Sequence, residues 1–232
     1  MIRLIIQARM NSTRLPGKIA APVEGVPLLG RVVERLRAVE DHLDRPFEVV
    51  VATSTARADD ETQRLCEAIA VPCIRGPEDD VLARYLAATA DLDDGDTALR
   101  ATADNCLYCP RRASRIVQVH LDREADYTSI ENLSYVVPEV IRVGALRSME
   151  QRADTPYCRE HVTPYFRNEA NSYHIVKLPQ TWQGLRPEIR LTVDTPAELQ
   201  RTRWIYASLN RNLSLFSLEE VYELCDRHPE RS

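Results

Sequence analysis

The stretch Ile5-Ile-Gln-Ala-Arg-Met-Asn-Ser-Thr-Arg-Leu-Pro-Gly-Lys18 leads from an apolar strand, predicted over residues 2–8, directly into a cationic loop. The loop carries the cations Arg9, Arg14 and Lys18, and the hydroxyl of Ser12 stands among them. Such side chains, together with free backbone N–H groups, suit a polyanion that has several phosphates. The alternative is a solvated basic loop. The Gly-x4-Gly-Lys-Ser/Thr pattern is absent, so P-loop NTPase chemistry is not implied.

The first half of the chain alternates between predicted strands and predicted helices. Apolar runs predict strands over residues 2–8, 47–53, 72–75 and 97–103, and apolar stripes predict helices over residues 27–40, 59–70, 79–92 and 111–123. Alternation at this spacing is typical of right-handed βαβ crossovers and a mostly parallel sheet. The sequence therefore predicts an α/β fold.

From about residue 126 the predicted elements become shorter. Strands are predicted over residues 127–130, 135–141, 173–178 and 190–193, and helices over residues 144–152, 160–169, 197–209 and 218–226. No repeat or linker-like stretch interrupts the chain. We therefore expect one domain over residues 1–232, in which residues 126–190 are an elaboration.

Composition and charge exclude several classes of partner. A hydrophobic content of 44% and a charged content of 28% are ordinary for a soluble globular protein. The net charge of −5 provides no global basic field, which argues against nucleic acid as a partner. No run of 18 apolar residues occurs, and the N-terminus does not resemble a signal peptide. We therefore expect a cytoplasmic protein without membrane association.

The six cysteines are scattered along the chain, which favours reduced thiols over a disulfide framework. Cys106 and Cys109 form a Cys-x-x-Cys pair, but a structural zinc needs two further ligands at recognisable spacing, and no second pair follows. Buried or loop thiols are the prediction, and a zinc or redox site is the alternative.

Polar side chains follow the predicted strands at their carboxyl ends, where an open parallel sheet binds its ligands. Asp104 follows the strand over residues 97–103, and Asp194 follows the strand over residues 190–193. Magnesium characteristically takes one or two carboxylates and completes its shell with phosphate oxygens and water. The two aspartates and the basic loop therefore indicate a magnesium site, with helix capping as the alternative role for each aspartate.

Four further motifs follow the first one in order. They read Gly76-x-x-x-Asp80-Val-Leu-x-Arg84-Tyr, Arg100-x-Thr-x-Asp104, Arg159-Glu-His-Val-Thr-Pro-Tyr165 and Leu191-Thr-Val-Asp-Thr-Pro-x-Glu-Leu199. Together with residues 5–18, they resemble the cytidylyltransferases of the acylneuraminate and spore-coat-polysaccharide type, which make CMP-activated sugars. The resemblance spans residues 1 to about 210. It implies a Rossmann-like nucleotidyltransferase fold, which is a three-layer sandwich with a mostly parallel mixed sheet, and it implies CTP as donor, magnesium and a homodimer.

The resemblance also implies roles for individual residues. Arg14 and Lys18 neutralise charge as pyrophosphate departs, and Asp104 and Asp194 hold the magnesium. The residues expected to bind or border CTP are Ala8, Arg9, Ser12, Arg14, Lys18, Thr53, Ser54, Arg75, Gly76, Asp80 and Thr102. Of these, Thr53, Ser54, Arg75 and Gly76 border the cytosine and the ribose.

The acceptor is expected to be a small anion that binds to the elaboration over residues 126–190, which also serves dimerisation. Arg142, Arg159 and Arg190 are candidate anchors for it. The resemblance places Arg159 and His161 toward the acceptor, and for His161 a catalytic role and a structural role are both open.

Two departures from the family pattern concern the acceptor. After the metal aspartate the family usually reads Cys-Pro-Leu-Ile-Asp-Pro, whereas this chain reads Asn105-Cys-Leu-Tyr-Cys-Pro110, so Cys109 replaces a carboxylate. The family's acceptor segment carries a glycine, which permits close approach of backbone to ligand. Here that segment, residues 135–140, is shorter and has no glycine.

Three hypotheses of function follow. The first is cytidylyl transfer from CTP to a sugar acid such as a nonulosonate. The second is the same transfer to a phosphonate or phosphate acceptor in a natural-product or surface-polymer pathway, which the missing glycine favours. The third is a nucleotide-binding protein without catalysis. Retention of Arg14, Lys18, Asp104 and Asp194 together argues against the third.

Overall fold

A computed structural model describes residues 1–131, 136–152, 155–168, 173–209 and 215–231. Its strands are β1 (Ile2–Gln7), β2 (Pro22–Val23), β3 (Val26–Pro27), β4 (Phe47–Ser54), β5 (Cys73–Gly76), β6 (Thr97–Thr102), β7 (Tyr127–Ile130), β8 (Glu139–Arg142) and β9 (Ile175–Leu178). Its helices are α1 (Leu28–Arg37), α2 (Asp60–Ala68), α3 (Val81–Ala87), α4 (Pro110–Asp122), α5 (Val143–Ser148), α6 (Pro156–His161), α7 (Pro164–Asn168), α8 (Pro196–Leu209) and α9 (Leu218–Arg227).

The main sheet has seven strands in the order β5-β4-β1-β6-β8-β7-β9. Strand β8 runs antiparallel to both of its neighbours, β6 and β7. The other pairs are parallel. The predicted α/β architecture with a mostly parallel mixed sheet is confirmed.

Helices cover both faces of this sheet, because side chains of successive strand residues point to opposite faces. On β1, Leu4 and Ile6 belong to a core with α1, α2, α4, α8 and α9. Ile5, between them, belongs to a second core with α3, α5, α6 and α7. All three side chains are fully buried, and each such burial stabilises the fold by about 1.5–3 kcal/mol. The result is the expected three-layer sandwich.

Several local signals explain where the helices begin. Asp80 caps α3, because its carboxylate accepts a hydrogen bond of 2.9 Å from the backbone N–H of Ala83. Helix α9 begins with a capping box between Ser217 and Glu220. Pro110 occupies the first turn of α4, where its missing N–H costs nothing. None of the helices in the described part of the chain has the length and apolar character that a bilayer span requires.

Some predicted elements differ from the structure. Residues 190–193 lie outside the sheet, although Val193 donates one backbone hydrogen bond of 2.7 Å to the Asp104 carbonyl. The helix predicted over residues 160–169 is divided into α6 and α7, because Val162 has a φ of 62° and Pro164 has no N–H to continue the ladder. The β2–β3 hairpin was not predicted.

Three other elements are shorter than predicted. The helix predicted over residues 79–92 is helical only from Val81 to Ala87, and turns follow it. The helix predicted over residues 144–152 ends at Ser148. The strand predicted over residues 135–141 corresponds to β8, and residue 135 lies outside the described residues.

Candidate active site

A cavity of about 340 Å³ opens at the carboxyl ends of β1 and β6. Its lining comes from the end of β1, the loop over residues 8–18 (the β1 loop), the end of β6, and single residues of two distant segments. The lining residues are Gln7, Ala8, Arg9, Ser12, Thr13, Arg14, Lys18, Ile19, Thr102, Ala103, Asp104, His161 and Asp194. Nine of these lining residues were predicted from the sequence as site residues. The other four, Gln7, Thr13, Ile19 and Ala103, were not.

The β1 loop is held in shape by a buried carboxylate that the sequence did not single out. Asp59 Oδ1 accepts a hydrogen bond of 2.7 Å from the backbone N–H of Met10 and one of 3.0 Å from the Thr62 hydroxyl. Its other oxygen accepts from the Ser54 hydroxyl. Gly17, at a φ of 72° that favours glycine, donates its N–H to the Met10 carbonyl at 2.9 Å. The loop therefore presents its cations from a fixed backbone.

Lys18 is the central cation of the site. Its side chain is only 10% exposed. The ammonium donates to Asp194 Oδ1 at 2.9 Å, to the Val193 carbonyl at 2.8 Å and to Asp104 Oδ2 at 3.3 Å. A buried ammonium needs such partners, because desolvating an unpaired charge is costly. Lys18 thereby ties the β1 loop to both predicted metal carboxylates.

The two aspartates have different surroundings. Asp104 accepts a second hydrogen bond, of 2.6 Å, from the Thr102 hydroxyl. Asp194 is nearly buried and pairs with Arg14 and Arg190, each at 2.9 Å. Burial raises the pKa of Asp194, but the hydrogen bond from Lys18 and the surrounding positive charges outweigh burial and hold that pKa below its ordinary value.

The carboxylates fit a magnesium ion. Among the described residues, no group of three or more histidine, cysteine, aspartate and glutamate side chains is placed to hold a metal by itself. Magnesium does not need such a group, because it takes one or two carboxylates and completes its shell with phosphate oxygens and water. Asp104 and Asp194 supply hard oxygen donors beside the cations of the β1 loop. These two residues are the ones that fit the ion.

His161 reaches the cavity from the end of α6. Its ring packs edge to face against Tyr157, with ring centroids 4.6 Å apart. Arg159, on the same helix, instead pairs with Asp80, which accepts from Arg159 Nε at 2.7 Å. Asp80 thus joins the α3 cap to α6. Of the two α6 residues that were predicted to lie toward the acceptor, Arg159 and His161, the structure brings His161 to the cavity.

The predicted base and ribose residues lie at the ends of β4 and β5, beside the cavity and not in its lining. Arg75 donates to the Ser54 carbonyl at 2.9 Å and to Asp60 at 2.8 Å. Gly76 is required by close packing, because a Cβ there would lie 2.9 Å from Cγ of Arg84. Thr53 is fully buried. These residues shape the rim next to the β1 loop.

Arg84 shapes the same rim and was missed as a site residue, although it stands in a quoted motif. Its side chain is buried, and Nη1 donates to the Pro77 and Glu78 carbonyls at 2.8 and 3.0 Å. Glu78 in turn accepts a hydrogen bond of 3.4 Å from Asn11 of the β1 loop. The signal in the sequence was an arginine at an apolar position of a short helix.

Arg142 is not brought to the site. It pairs with Asp126 at the end of β8, opposite Thr97 at the start of β6. The cavity lies at the other end of β6, beyond Thr102. Because β8 is antiparallel, its last residue lies at the amino-terminal edge of the parallel strands.

A profile of the family described as Cytidylyltransferase matches residues 3–226. The chain belongs to the cytidylyltransferase family. It is 31% identical, over 232 residues, to the spore coat polysaccharide biosynthesis protein SpsF of Bacillus subtilis, covering 99% of this chain and 95% of that protein. It is 25% identical to the 3-deoxy-manno-octulosonate cytidylyltransferase of Polynucleobacter necessarius, covering 88% of this chain and 95% of that enzyme.

A solved cytidylyltransferase from Leptospira borgpetersenii superposes on this cytidylyltransferase-family chain with a TM-score of 0.84 at 26% identity. The match covers 99% of this chain and 95% of that one. The family, and the nucleotidyltransferase-like fold inferred from the motifs, are therefore confirmed. The cavity lies where a parallel sheet of this kind binds ligands.

Proposed function

We propose that this protein transfers CMP from CTP to a small anionic sugar acid, such as a nonulosonate, in a magnesium-dependent reaction that releases pyrophosphate. The observation that carries the proposal is the shared ammonium of Lys18, which contacts Asp104 and Asp194 in one cavity with Arg14. A cation cluster beside two carboxylates suits a nucleoside triphosphate with its metal ion.

The chain's own residues supply positioning and charge neutralisation, on which phosphoryl and nucleotidyl transfer mainly depends. Lys18 is held rigidly between its carboxylate partners, so it presents a fixed positive charge. Arg14 is 60% exposed and reaches Asp194 from the β1 loop, so it is free to turn toward phosphate oxygens. A magnesium ion on Asp104 and Asp194 supplies further neutralisation of phosphate charge when bound.

His161 is positioned to act on the acceptor. A sugar hydroxyl that attacks the α-phosphorus must lose its proton, and a nearby base accelerates that step. His161 is the imidazole among the described residues that line the cavity. An acceptor phosphate or phosphonate is already ionised at neutral pH and needs no base. The imidazole in the cavity therefore supports a hydroxyl acceptor.

A phosphonate or phosphate acceptor is the second candidate. It is supported by the absence of glycine from residues 135–140, where close approach of backbone to a sugar is expected in the family. Loss of catalysis, the third hypothesis, has less support, because Lys18, Asp104 and Asp194 are all present and in contact.

The experiment is a pyrophosphate-release assay on the purified protein with CTP, magnesium and a panel of sugar acids, phosphonates and sugar phosphates. We expect release with at least one sugar acid, and a smaller rate when UTP replaces CTP. Arg142→Gln, at the opposite end of the sheet, is the matched control and should keep the wild-type rate. No release with any acceptor would refute the proposal, and release only with phosphonates or phosphates would select the second candidate.

We also propose that the protein is a homodimer in which residues 126–190 take part, as the family resemblance implies. Light scattering coupled to size-exclusion chromatography should give twice the chain mass of 26.4 kDa. A mass equal to one chain would contradict this part of the proposal.

A further inference from the structure

Asp194 has more positive partners than one carboxylate can neutralise. Lys18 and Arg14 both bind Oδ1, each at 2.9 Å. Arg190 binds the other oxygen, Oδ2, also at 2.9 Å. Both carboxylate oxygens are therefore engaged by cations, although Asp194 is one of the two residues that fit a metal ion.

The three cations differ in how firmly they are held. Lys18 is 10% exposed and donates also to the Val193 carbonyl, so it cannot leave without burying an unpaired charge. Arg14 is 60% exposed and belongs to the β1 loop, where an incoming triphosphate attracts it. Arg190 is 49% exposed and comes from a different segment. Because both guanidinium groups are about half in solvent or more, a new partner can reach them, and an exchange leaves neither arginine charge buried and unpaired.

Arg190 has neighbours that hold it close to Asp194 after an exchange. Its Nε donates to the Thr192 hydroxyl at 3.0 Å and lies 3.7 Å from a Glu198 oxygen. Glu198 also accepts from the backbone N–H of Asp194 at 2.8 Å. The guanidinium can therefore release Oδ2 and remain paired with Glu198.

We propose that Arg190 is a positioning residue that occupies Oδ2 of Asp194 until nucleotide arrives and thereby couples metal binding to nucleotide binding. This inference rests on the proposed function. A divalent cation that binds between Asp104 and Asp194 is repelled by a guanidinium on the same carboxylate. A triphosphate adds negative charge to the cavity and offsets that repulsion. The metal alone therefore binds weakly, and the metal with CTP binds tightly.

Removing the charge of Arg190 should change how tightly the protein binds a divalent cation in the absence of nucleotide. In Arg190→Gln, Mn²⁺ used as a probe for the metal should bind in the absence of nucleotide about tenfold more tightly, the scale set by one unit charge a few ångströms from a half-exposed site. Because the affinity for Mn²⁺ in the presence of CTP should not change, the factor by which CTP strengthens Mn²⁺ binding should fall by the same amount, and by reciprocity so should the factor by which Mn²⁺ strengthens CTP binding. Arg190→Lys keeps the charge and should resemble the wild type.

The experiment measures free Mn²⁺ by electron paramagnetic resonance during titration of the protein, with and without CTP and with no acceptor present, and the Mn²⁺ that CTP binds without protein is measured and subtracted. Arg186→Gln is the matched control, because it removes a charge of the same kind from the same segment, where Arg186 pairs with Glu188 and Asp226 instead. This control should leave both Mn²⁺ affinities at wild-type values. Thermal unfolding of each variant confirms that it is folded.

The outcomes separate the two proposals. If the wild type binds Mn²⁺ more tightly with CTP and Arg190→Gln raises only the affinity for Mn²⁺ alone, the inference is supported. If the wild type shows the coupling and Arg190→Gln leaves it unchanged, the role of Arg190 is refuted while the proposed function stands. If the wild type binds no Mn²⁺ with CTP, the proposed function and the inference both fail.

Discussion

Arg100 and Asp104 stand four residues apart, within and just after β6, and each belongs to a cluster of charges. Arg100 pairs with Glu139 of β8 at 2.6 Å, where Glu139 is 2% exposed. The Thr163 hydroxyl, at 3.3 Å, and the Tyr127 hydroxyl also donate to Glu139. Burial would lower the pKa of Arg100, yet the charge of Glu139 and its hydrogen bond raise that pKa above its ordinary value.

The Asp104 cluster differs because two of its cations are exposed to solvent. Lys18, Arg14 and Arg190 share the two carboxylates of Asp104 and Asp194, and both arginines are about half-exposed or more. The Arg100 cluster pairs one cation that is 13% exposed with one carboxylate that is 2% exposed, and it has no half-exposed arginine. The comparison indicates that half-exposed cations, which can change partners, distinguish the proposed substrate site from a cluster that serves the fold.

The largest effect is expected from Asp104→Asn. The asparagine oxygen can still accept from Lys18, and the amide NH2 that replaces the other oxygen can donate to the Thr102 hydroxyl, so the fold should remain, but the charge that suits a metal ion is lost. Turnover should fall by about a thousandfold, the scale of losing one preorganised electrostatic group. The pyrophosphate assay measures it, and Asp122→Asn, on an exposed position of α4, should be unaffected. Retained activity would remove Asp104 from the mechanism.

Glu139→Ala should affect stability instead of chemistry. It leaves Arg100 buried without its partner, which costs about 3–5 kcal/mol of unfolding free energy. Urea unfolding measures this loss, and the double variant Arg100→Met/Glu139→Leu should recover most of it. A loss of turnover in folded Glu139→Ala as large as that of Asp104→Asn would show that the Arg100 cluster belongs to the site.

A buried histidine outside both clusters makes the stability of the fold depend on pH. His120 is 2% exposed, its Nδ1 lies 2.9 Å from the Thr128 hydroxyl, and burial lowers its pKa to about 4. Since an unfolded histidine has a pKa of about 6.5, the unfolded chain binds more protons between these values, and stability falls as the pH drops from about 6.5 toward 4.

Between pH 7 and pH 4.5 the contribution of His120 should amount to roughly 2–3 kcal/mol. Urea unfolding of wild type and His120→Gln at the two pH values measures it. The variant should show a smaller loss of stability on acidification than the wild type. An equal loss in both proteins would contradict the assignment of a neutral, buried imidazole.

The smallest effect is expected from Arg14→Gln. Arg14 is 60% exposed, and Asp194 keeps Lys18 and Arg190 as partners when Arg14 is removed, so the unfolding midpoint should stay within about 3 °C of the wild type. CTP should bind about tenfold more weakly, because one charge-assisted hydrogen bond to phosphate is lost. Calorimetric titration with CTP and magnesium measures this, with Arg64→Gln on α2 as the exposed control. Unchanged CTP affinity would exclude Arg14 from phosphate binding.

The sequence predicted the first half of the fold well, because the spacing of apolar residues there matches the strands and helices that form. β1, β4, β5 and β6 lie within one or two residues of their predicted bounds, since continuous apolar runs mark strands that are covered on both faces. The strand order was not readable, because it depends on which crossovers pack together. The antiparallel insertion of β8 between β6 and β7 therefore came only from the structure.

For the site, the sequence found the residues that carry charge and missed those that hold them. The β1 loop and the two aspartates were predicted from residue type and strand position. Asp59 and Arg84 were missed, because their roles are hydrogen bonds to backbone groups: Asp59 accepts from the distant β1 loop, and Arg84 donates to the loop just before its own helix. Arg142 was grouped with the acceptor by its charge alone, and the antiparallel direction of β8 places it at the other edge.

Thermal unfolding with nucleotides tests the central claim most directly, namely that this cavity binds CTP together with a metal ion. At about 100 times its dissociation constant, CTP with magnesium should raise the unfolding midpoint by about 5–10 °C. ATP, GTP and UTP should raise it less, and the CTP effect should shrink when magnesium is chelated. Equal shifts with all four nucleotides, or a CTP shift that does not depend on magnesium, would contradict the account.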